Sequence, residues 1–339
     1  MLALSGLERM RRSVDFIAAP PPIYHLTGLA PVEAEAGRTA FTMPVTPWLQ
    51  TPVPGLIPGG VIAFLADGPL GTAIMTTLPP LAYMSTSDIS MSFLRPSTLD
   101  SGTLTGRAHV VHAGRSVALS EVTIEDSQGR QVAHGTSRGF VLKAPGAPPP
   151  SELAVDVEYT TPDPYLRPVT GAPTSLDDWD RMGGLEILRR CVDDLSYAPP
   201  LYHLTGLRPI EALEGRCSFV LPASAWLMPP AINLYGGAIA MLADAALSGA
   251  VMTIVAPAGS FVSLDLKVNF LRPVLPDGSL LTAVATLRHR GRTMAVATAE
   301  LFNEDGKRIA MASSSALLLP DRGWGEITTA ADREVSDPA

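Results

Sequence analysis

Two aspartates stand alone in long apolar runs, and each follows a pair of glycines. Asp67 lies eight residues after Gly59 in Gly59-Gly60-Val61-Ile62-Ala63-Phe64-Leu65-Ala66-Asp67, and Asp244 lies eight after Gly236 in Gly236-Gly237-Ala238-Ile239-Ala240-Met241-Leu242-Ala243-Asp244. Both runs read as the opening turns of a helix. The first N–H groups there lack partners and carry partial positive charge, and Gly-Gly lets a ligand approach the backbone. A carbonyl that becomes an oxyanion on attack, such as that of a thioester, is a natural occupant. A carboxylate two turns further on is poorly solvated and a better base than a free Asp. A lone buried Asp is ordinarily a structural group held by backbone or hydroxyl partners. Its recurrence after Gly-Gly favours chemistry.

Hydroxyls recur with the carboxylates. Thr86 and Ser263 fall on the first predicted strand after each helix, two residues before Asp88 and Asp265, where either can hold a water or orient the upstream Asp. Arg95 and Arg272 end that strand in Phe-Leu-Arg-Pro, while Arg115 and Arg292 follow a glycine in hairpins. All four are candidates to meet phosphates of a nucleotide-bearing substrate, although solvated surface arginines are the commoner case. Two patterns are set aside. Gly135-Thr136-Ser137-Arg138-Gly139 fits a hydrolase nucleophile motif but is followed by a Pro-rich stretch instead of a helix. His109 and His112 have metal-like spacing, yet only His112 recurs, as His289. No cysteine cluster, P-loop or dinucleotide fingerprint occurs, so no metal or cofactor is expected.

These residues come twice because the chain is a duplication. Tyr24-His25-Leu26-Thr27-Gly28-Leu29 returns as Tyr202 to Leu207, 178 residues on, and Phe93-Leu94-Arg95-Pro96 returns as Phe270 to Pro273, 177 residues on. One deletion, between Trp226 and Gly236, accounts for the difference. Copies this long are whole domains, and 339 residues suit two. The composition, 46% apolar and 17% charged, excludes a disordered chain, and a net charge of −8 argues against nucleic acid as partner. Cys191 and Cys217 do not recur and read as reduced thiols of a cytoplasmic protein. Residues 8–12, Glu-Arg-Met-Arg-Arg, precede no apolar run, so no secretory signal is read there. Residues Ala231 to Gly259 are long enough to cross a bilayer. The single charge in each copy's run is costly in lipid, so we expect a helix wrapped by a sheet, with no membrane span.

Each copy should open with an amphipathic helix, Gly6 to Phe16 or Gly184 to Asp194, ended by Pro21-Pro22 or Pro199-Pro200. An alternating strand follows at Gly37–Met43 or Gly215–Leu221, then the Gly-Gly helix. In the second copy four strands come next, Val262–Leu271, Leu280–Arg288, Thr293–Glu300 and Arg308–Leu318, separated by Gly- and Asp-bearing turns. An apolar helix is buried only if that antiparallel sheet curls round it. The expectation is α+β, two tandem hotdog domains at 1–143 and 180–320. A Pro-rich linker would occupy 144–179 and a C-terminal tail 321–339.

The combination of Gly-Gly, apolar run, Asp, Thr/Ser-x-Asp strand, Phe-Leu-Arg-Pro and Gly-Arg hairpin resembles the PaaI-type acyl-CoA thioesterases of the hotdog superfamily. The resemblance implies sites between paired hotdogs, one joining Asp244 and Ser263 to Gly59 and Gly60, the other joining Asp67 and Thr86 to Gly236 and Gly237. The family's His before Gly-Gly is Pro58 or Tyr235 here, and its Asn six residues earlier is Pro52 or Pro229, with Asn233 nearby at another spacing. Tyr235 and Asn233 are therefore carried as candidate substrate contacts. Gly68-Pro69 after Asp67 should kink or end that helix, whereas Ala245-Ala246 keeps the other straight, which makes Asp244 the favoured site. The implied protein is an acyl-CoA thioesterase with its CoA thioester as substrate and double hotdogs assembled as a homo-oligomer. A non-catalytic acyl-CoA or hydrophobic-ligand binding module is the alternative, and a hotdog hydratase ranks lower.

Overall fold

In the computed structural model, which describes residues 3–15, 17, 20–143 and 162–333, the two apolar runs are the central helices of two hotdogs. The first half runs α1 (Gly6–Val14), α2 (Pro22–Thr27), β1 (Ala30–Glu35), β2 (Arg38–Pro44), β3 (Leu56–Ile57), α3 (Gly59–Thr76), β4 (Ala82–Phe93), β5 (Ser97–Thr98), β6 (Thr103–Ala113), β7 (Val117–Glu125) and β8 (Gln131–Lys143). The second runs α4 (Leu176–Arg181), α5 (Gly184–Asp193), α6 (Pro200–Thr205), β9 (Arg208–Leu213), β10 (Arg216–Pro222), α7 (Gly236–Met252), β11 (Ser260–Ser263), β12 (Asp265–Phe270), β13 (Leu280–Arg290), β14 (Met294–Phe302), β15 (Arg308–Leu319) and α8 (Trp324–Arg333). Of the linker expected at 144–179, residues 144–161 lie outside the described residues.

Both halves share one antiparallel sheet of order β1-β2-β6-β7-β8-β4-β12-β15-β14-β13-β10-β9, with β11 also on β15. The join is β4 against β12, in register from Asp265 opposite Ser92 to Asn269 opposite Asp88. Helices α3 and α7 are apolar on every side, so neither has a face to turn to water. By length and composition α3 would pass for a membrane span, but it lies mostly buried inside its own sheet.

Several local expectations change. The Pro-Pro pairs do not terminate the first helices. Pro22 and Pro200 take the first position of α2 and α6, where a missing N–H costs nothing. The repeated Tyr-His-Leu-Thr-Gly is thus a short helix with its left-handed cap, Gly28 at φ 73° and Gly206 at φ 78°. Strands β1 and β9 were not expected. They are edge strands without an apolar alternation, paired with β2 and β10. Pro69 does not end α3, which continues to Thr76. The Thr72 hydroxyl donates to Gly68 O at 2.7 Å and the Thr39 hydroxyl to Pro69 O at 2.9 Å, so polar partners line the proline turn. Beyond residue 320 the chain forms α8, whose Trp324 is buried against Trp179 and Phe261, with ring centroids 5.5 and 5.4 Å away.

Separating the halves exposes the unpaired edges of β4 and β12 and the facing sides of α3 and α7. Residues 1–143 and 162–339 expressed singly should be insoluble or self-associated in size-exclusion chromatography. Two soluble monomers would contradict the pairing.

Candidate active site

The central helices meet at their N-termini. Gly60 N–H donates to Asp244 Oδ2 at 2.8 Å, and Gly237 N–H donates to Asp67 Oδ2 at 2.8 Å, so each helix start holds the carboxylate of the other. Glycine is required for the approach. A Cβ on Gly60 would lie 2.8 Å from Asp244 Cβ and 3.0 Å from Met241 Cα, and one on Gly237 would lie 2.8 Å from Phe64 Cα. The structure therefore brings Asp244 to Gly59-Gly60 and Asp67 to Gly236-Gly237. It also commits Gly60 N–H to the carboxylate. Gly59 N–H, at the first helical position, makes no hydrogen bond among the described residues and is the donor left for a ligand.

Asp244 is 2% exposed and Asp67 7%. Burial pushes the Asp244 carboxyl up to about 6, a rise moderated by the Gly60 N–H and by the nearby Ser248 hydroxyl. Asp67 is likewise pushed up to about 6 by burial, against the N–H groups of Gly237 and Gly236. Asp244 Oδ1 has no hydrogen-bond partner. Ser248 lies one helical turn beyond Asp244, with its Oγ 3.4 Å from Ser263 Oγ, so the cavity wall beside Asp244 carries two neighbouring hydroxyls. Sequence reasoning found Ser263 and missed Ser248, because its counterpart in the first half is Gly71 and recurrence was the signal sought. A bulge aids the aim of the strand hydroxyl: registers shift between Thr86 and Asp88, and Leu264 separates β11 from β12 at the matching point.

Asp244 and Ser263 line a cavity of about 200 Å³ between the halves. One stripe of α7 forms its wall, Met241, Asp244, Ala245, Ser248, Gly249 and Met252. Pro58, Gly59, Gly60 and Phe93 form the wall from the first half. At one end the lining residues Leu94, Arg95 and Pro96 are exposed; at the other Leu188, Leu201, Leu207 and Met252 are buried.

The other candidates divide. Arg95 is at the exposed end. Arg272 donates to Arg308 O, Arg115 and Arg292 are exposed in their hairpins, and none of these three lines the cavity. Asn233 is exposed and away from it. Thr86 is half-buried, and no hydrogen bond among the described residues links it to Asp67. Tyr235 is buried with its hydroxyl donating to Phe64 O at 2.8 Å, so that hydroxyl is committed to the fold. The set-aside Ser137 lies on β8, fully buried.

The sequence model of the thioesterase superfamily matches residues 55–133 and 233–310, one segment in each hotdog. No curated protein sequence matches the chain. Among solved structures, an acyl-CoA thioesterase II, TesB2, from Mycobacterium marinum is 15% identical with a TM-score of 0.52, covering 87% of this chain and 96% of that one. A tesB protein from Mycobacterium avium subsp. paratuberculosis is 15% identical with a TM-score of 0.53, covering 93% and 100%. A conserved protein of unknown function with a hot dog fold from Alicyclobacillus acidocaldarius is 16% identical with a TM-score of 0.54, covering 87% and 97%. At such identities the likeness is one of fold.

The raised carboxyls carry a stability signature. Between about pH 4 and 6 the native Asp67 holds a proton that the unfolded chain has released, so its charge weighs against folding as pH rises through about 6. Asp67→Asn keeps an acceptor for Gly237 N–H and removes that charge. Relative to wild type it should fare better at pH 8 than at pH 5, by at most ~1.4 kcal/mol, in urea unfolding, since the unfolded carboxyl is already ionised at pH 5. An unchanged difference would mean the charge is better solvated than its burial implies.

Proposed function

We propose that the chain is a cytoplasmic acyl-CoA thioesterase, akin to the PaaI type, that hydrolyses a thioester to a free acid and CoA at the Asp244 cavity without a cofactor. Asp244 carries this reading: a buried carboxylate with one oxygen held by Gly60 N–H and the other unpartnered, at the wall of an apolar cavity open at one end. A carboxyl raised to about 6 is largely ionised at neutral pH and basic enough to take a proton from water. Water held by Ser263 and Ser248 adds to the thioester carbonyl carbon while Asp244 accepts its proton. Gly59 N–H donates to the carbonyl oxygen as it becomes an oxyanion. The C–S bond then breaks, and the proton passes from Asp244 to the departing thiolate, whose conjugate acid has a pKa near ~8.5. CoA lies over Leu94, Arg95 and Pro96, which places its phosphates on the side of the Arg95 guanidinium.

One observation favours the binding-module reading instead: the Gly60 N–H is already engaged by Asp244, which leaves a single backbone donor where two were expected. Catalysis and binding separate on free-thiol release.

Asp244→Asn keeps the acceptor for Gly60 N–H and should lower turnover by ~10²–10⁴ with the fold intact. Wild-type kcat/KM should fall as pH drops through about 6, because only the ionised carboxylate is a base. From Asp244 to Met252, eight residues at ~1.5 Å per residue span ~12 Å, which an extended chain advancing ~1.2 Å per bond fills with about ten carbons. A linear acyl-CoA panel should peak near that length, and Ala245→Leu should move the peak to shorter chains. Binding without thiol release across linear and aromatic acyl groups would replace the enzyme with the binding module.

A further inference from the structure

Asp67 and Asp244 have the same helix position, the same glycine donor and the same burial, yet only Asp244 opens on the cavity described above. The difference lies in what precedes each Gly-Gly. Pro58 stands at the cavity wall, and its counterpart in the other half is Tyr235. The Tyr235 ring packs edge-on against Phe64, centroids 5.0 Å apart, and its hydroxyl reaches Phe64 O. A Cβ on Gly68 would meet Tyr235 Oη at 3.1 Å and the Phe41 ring at 3.2 Å. The counterparts of Phe64, Gly68 and Phe41 are Met241, Ala245 and Phe219, and all three line the open cavity. The phenol ring thus occupies in the first hotdog the volume that is empty in the second. Burial agrees: Gly68 is buried, whereas its counterpart Ala245 is partly exposed.

We infer that the Asp67 cluster is a second acyl-thioester site closed by the side chain of Tyr235, so that each chain takes one acyl-CoA and removal of the ring admits another. The inference rests on the acyl-CoA reading above. Gly68 is the companion of the closure, since a methyl there, as at Ala245, would press on the hydroxyl of Tyr235.

Stoichiometry tests this with S-octyl-CoA, a thioether that cannot be hydrolysed, in isothermal titration calorimetry. Wild type should bind one equivalent per chain and Tyr235→Ala two. Ala245→Phe, which fills the open cavity, should bind none, and Tyr235→Ala/Ala245→Phe should bind one. Two equivalents in wild type, or retained binding in Ala245→Phe, would show the Asp67 site already open and overturn the inference without any Tyr235 variant. One equivalent in a Tyr235→Ala chain with unchanged far-ultraviolet circular dichroism and a cooperative unfolding transition would overturn it as well. No binding to wild type and to Tyr235→Ala would overturn the acyl-CoA reading and this inference together.

Discussion

Everything in this molecule is arranged around two hydrogen bonds that cross between helix starts. An aspartate two turns into each central helix reaches the second glycine N–H of the other. The bonds answer two shortages at once: helix N-termini have donors without acceptors, and carboxylates inside an apolar helix have no water. Reciprocity sets the distance between α3 and α7, and that distance leaves no room for a Cβ at Gly60 or Gly237. With the helices fixed, the strands around them meet edge to edge at β4 and β12 and the two sheets become one. Burial between the helices pushes both carboxyls up to about 6 against the opposing pull of these same N–H groups, which leaves each a better base than a solvated Asp.

The interaction also limits the chemistry. An N–H that steadies the carboxylate is not at the same time free for a carbonyl oxygen, so in the proposed reaction the oxyanion contact falls to Gly59, one residue earlier. The hydroxyls of Ser248 and Ser263 then matter more than the motif suggests, because they line the same cavity as Asp244, whose Oδ1 has no hydrogen-bond partner.

Most of the fold was legible in the sequence because repetition exposes it. Two apolar runs broken at matching points by Asp can only be core helices, and the turn-separated strands after them can only be the wrapping sheet. The pairing of each Asp with the other copy's Gly-Gly came from resemblance, and the crossing bonds agree with it. What the sequence hid was local or asymmetric. Strands β1 and β9 are edge strands without an apolar alternation, drawn into place by β2 and β10. Pro69 reads as a helix breaker, but α3 is held from outside by the sheet round it and by threonine hydroxyls, so packing overrides propensity. Tyr235 looked like a substitute for a missing ligand contact, and only its rotamer in the folded chain makes it a filler. Ser248 is an unremarkable serine in an apolar helix until Ser263 is seen 3.4 Å away. Trp324, beyond the last repeated residue, earns its position only through Trp179 and Phe261.

The sheet that runs unbroken from β1 to β9 belongs to one polypeptide, and that changes what mutation can do to it. When two identical chains form such a pair, twofold symmetry writes every substitution into both interfaces, and a residue that suits one role is imposed on the other. Here the two sides of the pseudo-twofold axis are separately encoded. A proline and a tyrosine can sit at equivalent points, a serine opposite a glycine, and one side can be selected for reactivity while the other is selected for cohesion.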